Sequence, residues 1–70
     1  MTEAQRKALD WLLAHNGDGK RIGGAVLAAG EYAKTVPSTW KALEIGGFVE
    51  TYRDANGHSR VRVSEKGKAA

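Results

Sequence analysis

From Thr2 to His15 the apolar residues fall at Ala4, Ala8, Leu9, Trp11, Leu12 and Leu13. That spacing winds onto one wide arc of a 3.6-residue helix and leaves Glu3, Arg6, Lys7, Asp10 and Ala14 for water. Thr2, followed three residues later by Gln5, has the form of a capping box. His15 falls in the last turn, where its charge suits the dipole, and Asn16-Gly17-Asp18-Gly19 then breaks the helix. An arc wider than the usual stripe predicts contact on two sides. Two readings follow: this helix is the central helix of the core, or Trp11, at the edge of the arc, meets a second copy of the chain, giving a homodimer through the first helix.

Lys20-Arg21-Ile22 predicts a brief extended piece, and the residues from Gly23 or Gly24 to about Ala29 a second helix with Ile22, Val26, Leu27 and Ala29 on its apolar face. The small residues Gly24, Ala25, Ala28 and Ala29 let another helix approach closely. A third helix is predicted over 36–45. Thr35 serves as its cap, Pro37 loses nothing in the first turn, and Gly46-Gly47 closes it. Val36, Trp40 and Leu43 share its inner face, while Ser38, Thr39 and Lys41 lie on or near the other. Phe48–Arg53 and Ser59–Ser64 read as two strands around Asn56-Gly57, the signature of a two-residue type I′ hairpin. That turn pairs Arg53 with Arg60, Tyr52 with Val61 and Glu50 with Val63. It puts Phe48, Tyr52, Val61 and Val63 on the core with Glu50 among them, and turns Thr51, Arg53, Arg60 and Arg62 outward with Val49 among those. Arg53 opposite Arg60 is unfavourable in a cross-strand pair and makes better sense beside an anion.

Seventy residues make one domain, 1–70, and 41% apolar with 27% charged residues is a globular balance. No run is long enough to span a bilayer and the N-terminus has no leader pattern, so a soluble, cytoplasmic chain without membrane contact is expected. The absence of cysteine removes disulfides and thiolate metal sites, and no metal or cofactor is expected. Two isolated histidines without paired carboxylates argue against an enzyme. Gly17-Asp18-Gly19-Lys20 lacks the Walker spacing of a phosphate loop. Net charge is +3, its positive excess carried by Arg53, Arg60, Arg62, Lys66 and Lys68 near the C-terminus.

The order helix, helix, helix, hairpin resembles the winged helix-turn-helix domain, an α+β fold of three helices followed by a two-stranded wing. Thr35-Val36, Trp40, Leu43, Gly47 and Val49 resemble the recognition-helix run of MarR-like bacterial regulators. Val61-Arg62-Val63-Ser64-Glu65-Lys66-Gly67 is similar to their second wing strand and the turn after it. The likeness spans about residues 20 to 67. It implies sequence-specific binding of double-stranded DNA by a small bacterial or phage transcriptional regulator, with helix 36–45 in the major groove and hairpin 48–64 on the backbone or minor groove. Ser38, Thr39 and Lys41 would then meet bases or phosphates, with Thr35 beside them; Lys34, Arg53, Arg60 and Arg62 would neutralise phosphates, and Asn56 or His58 would enter a minor groove. The alternative is a winged helix that binds protein, as a subunit of a larger assembly or a phage or plasmid factor acting on a host complex.

Overall fold

The computed structural model describes all 70 residues. Thr2 caps the first helix, α1 (Glu3–Ala14), in the expected capping box: its hydroxyl accepts from the Gln5 N–H at 3.2 Å, and its own N–H donates to the Gln5 carboxamide at 3.1 Å. Ala8, Leu9 and Leu12 are buried, whereas Ala4 and Leu13 are exposed, so the core-facing arc is narrower than predicted. Trp11 stacks on His15 of its own chain with ring centroids 4.0 Å apart. Asn16 and Gly17, at φ 72° and 69°, turn the chain into β1 (Asp18–Ile22).

The second helix of the sequence reading does not exist. Its residues form β2 (Ala25–Ala28), followed by the short β3 (Glu31–Tyr32). Gly23, at φ 60°, opens a two-residue turn between Ile22 and Ala25. Ala29 and Gly30, at φ 50° and 78°, make a second one between Ala28 and Glu31. Positive φ is what such hairpin turns demand and what a helix interior forbids. Within β2 the buried residues are Val26 and Ala28, so the period is two rather than 3.6.

The rest of the chain is α2 (Pro37–Ile45), β4 (Val49–Arg53), β5 (Ser59–Val63) and α3 (Glu65–Ala69). The five strands form one antiparallel sheet in the order β3-β2-β1-β5-β4. The chain is therefore α+β, but its helices are interleaved with strands. Three helices followed by a two-stranded wing is the wrong arrangement, because residues 18–32 supply three strands and no helix. As β3 and β4 are opposite edges of the sheet, the segment joining them must cross it, and α2 lies in that crossing.

The core is ten buried residues: Ala8, Leu9 and Leu12 of α1, Trp40 and Leu43 of α2, and Val26, Ala28, Val49, Val61 and Val63 of the sheet. Both long helices thus cover the same sheet face. Two details of α2 depart from expectation. Its N-cap is Val36 rather than Thr35, with no side-chain cap, and Val36 is 60% exposed rather than on the inner face. Arg21 reaches from β1 to α2, its Nη1 donating to Glu44 Oε2 at 3.2 Å. At the other end Ser64 caps α3, accepting from the Gly67 N–H at 3.0 Å. Gly67 is buried against the Phe48 carbonyl and Val63, where a Cβ would have no room. The Ser64-x-x-Gly67 run is accounted for by that cap and that contact.

The hairpin forms one residue out of the expected register: Val49 pairs with Val63, Glu50 with Arg62, Thr51 with Val61, Tyr52 with Arg60 and Arg53 with Ser59. The loop holds five residues, 54–58, because Asp54 folds over it: its N–H donates to the His58 carbonyl at 3.1 Å and its carbonyl accepts from Gly57 at 3.0 Å. The shift turns Tyr52 outward and Val49 inward, and it replaces Arg53 opposite Arg60 by Glu50 opposite Arg62.

Leu43 is fully buried within this single core. Leu43→Ala should cost about 2–5 kcal/mol of stability, the range for a truncated core leucine. Urea unfolding at unchanged m-value measures it, and a loss under ~1 kcal/mol would mean that the cluster collapses around the missing atoms.

Candidate functional site

The register fixes where each candidate residue lies. Lys20 opposite Arg60 and Ile22 opposite Ala25 place the 23–24 turn and the 54–58 turn at the same end of the sheet. Pro37 packs on that end too, since a Cβ on Gly24 would stand 2.5 Å from Pro37 Cγ. The start of α2 and the hairpin tip therefore share one end of the molecule, separated across the sheet by about two strand spacings, ~10 Å.

At that end Lys34, Thr35, Val36 and Thr39 face Ala4 and Lys7 of α1 across a cleft of about 230 Å³. Lys7 was not visible as a site residue in the sequence: it sits on the polar side of α1, and only the packing of α1 on α2 brings it here. Its partner Glu3 is 3.4 Å away, but both side chains are largely exposed, so the pair is weak and exchangeable. Farther along α2, Ser38, Lys41 and Ile45 form its exposed stripe, with Ile45 78% exposed. Trp40 lies in the core, as its spacing predicts.

The hairpin tip is held by a carboxylate. Asp54 Oδ1 accepts from the N–H groups of Asn56 and His58 at 2.9 and 3.0 Å. Arg53 Nη1 donates to the Gly57 carbonyl at 2.8 Å. Asn56 and His58 are exposed, and His58 Nδ1 lies 3.8 Å from Asp54 Oδ2.

Arg60 and Arg62 are elsewhere. They alternate along β5 with the buried Val61 and Val63, so they point to the sheet face away from α1 and α2. One duplex cannot lie against α2 and against both arginines. Each is also engaged with an acid. Arg60 Nε donates to Asp18 Oδ1 at 3.1 Å and to the Tyr52 hydroxyl at 3.3 Å, while that hydroxyl donates to Asp18 Oδ2. The bond to Tyr52, with Asp18 beside it, holds the Arg60 proton even more tightly than usual for arginine. Arg62 lies 4.6 Å above the Tyr52 ring and 3.5 Å from Glu50.

The ion pairs therefore sort the cations. All eight acidic residues have a basic partner within 4 Å, and the lysines and arginines without a carboxylate are Lys20, Lys34, Lys41, Arg53 and Lys66. Lys34, Lys41 and Arg53 belong to the α2 and hairpin group; Lys66 donates to the Gly46 carbonyl at 2.7 Å. No three His, Cys, Asp or Glu side chains converge as a metal site would require. No helix is long and apolar enough to cross a membrane.

Asp54 gives a pH prediction. The His58 N–H, more than any other group, lowers its pKa below the ordinary 3.8. A depressed carboxyl pKa contributes stability that is present above the ordinary value and lost as pH falls through the folded one. In an NMR titration the Asp54 carboxyl should show a midpoint below 3.8, with the Asn56 and His58 amide shifts following it. A midpoint at or above that value would mean that the amides do not hold the charge.

Comparison with protein-family models, curated proteins and solved structures gives no match for this chain.

Proposed function

We propose that the chain binds double-stranded DNA through the exposed side of α2 and the adjoining cleft. The observation that carries the reading is the placement of Lys34 and Lys41, cations without a carboxylate, on either side of a helix N-terminus that no side chain caps. Pro37 has no N–H and Thr39 donates to the Val36 carbonyl at 3.1 Å, so the Ser38 N–H and the helix dipole are what attract a phosphate oxygen at this helix start. Thr35 and Thr39 add hydroxyl donors, and Lys7 adds a third positive group across the cleft. Ser38 and Lys41 are placed to reach base edges, and Ile45 at the end of the same stripe suits a thymine methyl. Arg53, Asn56 and His58 lie at the same end of the molecule and would touch the neighbouring backbone.

This version of the interface leaves out Arg60 and Arg62. Their carboxylate partners already neutralise them, and they face the other way. A second reading, a protein partner on α2, is favoured by one observation: Val36 at 60% and Ile45 at 78% exposure leave apolar side chains at both ends of the helix.

Fluorescence anisotropy with random and genomic duplexes separates the two. Lys34→Ala and Lys41→Ala should each lower the slope of log K against log salt by roughly 1, the loss of one phosphate contact. Arg60→Ala and Arg62→Ala should leave it unchanged. If Ser38 reads a base, Ser38→Ala should cost about 1–3 kcal/mol on the preferred site and nothing on random duplex. A folded domain that binds no duplex near 50 mM salt refutes the DNA reading, because non-specific attachment alone would be visible there.

A further inference from the structure

The sheet face opposite the helices is uncovered, and one row of side chains crosses all of it. Tyr32 of β3 pairs with Leu27 of β2, Leu27 with Lys20 of β1, Lys20 with Arg60 of β5, and Arg60 with Tyr52 of β4. Residues directly opposite in a sheet project from the same face, so aromatic, apolar, cationic, cationic and aromatic side chains stand in line over about 19 Å, at ~4.8 Å per strand. Tyr32 is 57% exposed and Lys20 has no carboxylate partner. Tyr52 is fixed in place: its hydroxyl donates to Asp18, and the Arg62 guanidinium lies 4.6 Å from its ring. That guanidinium covers one side of the ring.

We infer that this face binds single-stranded DNA. Unpaired bases stack on aromatic rings and guanidinium groups, here the exposed Tyr32 ring and the Arg62 guanidinium that covers Tyr52, while Lys20, the cation of this face without a carboxylate, attracts the backbone. The row is long enough for about four nucleotides, the lower end of such sites. Ile22, Ala25 and Leu27 make the β1–β2 part of the face apolar, which suits the C5-methyl of thymine and favours DNA over uracil-containing RNA. A second copy of the chain fits less well. Lys20, Arg60 and Arg62 outnumber Asp18 and Glu50 on this face, and a two-fold contact would bring that excess against itself. A duplex fits less well too, since its base faces are already stacked on one another.

The test is anisotropy of labelled dT12 and rU12 near 50 mM salt, with circular dichroism and light scattering on every variant. The wild type should bind dT12 more tightly than rU12. Tyr32→Ala should weaken dT12 binding about 5- to 100-fold, the range for loss of one stacked base, and Tyr32→Phe should retain it. Lys20→Ala should lower the salt slope by about 0.7, one phosphate of a single strand. Both side chains project from the sheet face opposite α2, so duplex binding should not change; conversely Lys41→Ala should leave dT12 binding intact, which separates failure here from failure of the duplex reading. The inference is overturned by any of four results: no dT12 binding by the folded wild type, indifference to Tyr32→Ala, tighter binding of rU12, or a wild-type dimer that Tyr32→Ala converts to monomer.

Discussion

All ten buried apolar side chains lie between the two long helices and one face of the sheet, and that one-sidedness shapes everything else. Both long helices lie on one face of the five strands, which leaves the other face bare. The connection from β3 to β4 must run from one edge to the other, so it becomes the second covering helix, and Trp40 is the largest fully buried side chain. Its indole N–H has no partner, at a cost of about 1–3 kcal/mol for a buried donor. Burying a side chain that removes 150–250 Å² from water contributes roughly 4–6 kcal/mol at ~25 cal/mol/Å². Packing wins, and an apolar centre with one unmet donor is tolerated.

The bare face has to be consistent with water, and its charged side chains serve that end. Asp18, Arg60, Tyr52, Arg62 and Glu50 link β1, β5 and β4 in a continuous set of hydrogen bonds, ion pairs and a cation–π contact. Each exposed or half-exposed pair is worth little, on the order of 0–1 kcal/mol. They follow from the register more than they set it. Slipping β4 by one residue would exchange Val49 for Glu50 beneath the helices, and an unpaired carboxylate there costs far more than any of these pairs contributes. The alternation Val49, Val61, Val63 therefore decides the pairing, and Glu50 and Arg62 meet because of it.

What the sequence made legible is local. Thr2 and Gln5 announced α1, Trp40 and Leu43 gave the inner face of α2, and two β-rich runs around Asn56-Gly57 gave a hairpin. The register differs from expectation because Asn56-Gly57 is not a two-residue turn by itself: Asp54 gathers a loop of five residues through bonds to its carboxylate and backbone. The segment 23–30 failed differently. Ala and Leu have higher helix than strand propensity, but Gly23-Gly24 and Ala29-Gly30 are turn dipeptides, and between them only four residues remain, too few for a helix. Counting turn signals before helical periodicity would have found the meander. The order helix, helix, helix, hairpin does not hold, because 18–32 forms strands; of that order the chain has only α2 followed by a hairpin. Of the candidate site, the cluster at the start of α2 was legible, because it is contiguous in sequence. Lys7 and the row from Tyr32 to Tyr52 were not, because tertiary packing and strand order assemble them.

Net charge alone is a poor guide to where such a chain meets an anion. Arg60 and Arg62 are the most conspicuous cations in the sequence, yet each faces an acid that the sheet brings alongside, Asp18 from 42 residues away in the case of Arg60. Lys34 and Lys41 are less conspicuous, one on the approach to α2 and one on its exposed side, and no carboxylate reaches either. An anion arriving at α2 displaces only water and counterions, whereas one arriving at Arg60 must first compete with Asp18 at 3.1 Å. On the bare face the free cation is Lys20, and an arriving strand would gain attraction from it while stacking on side chains already fixed by the Asp18 and Glu50 contacts. On each side of the sheet, then, the placement of the acids decides which cations are available to an anion.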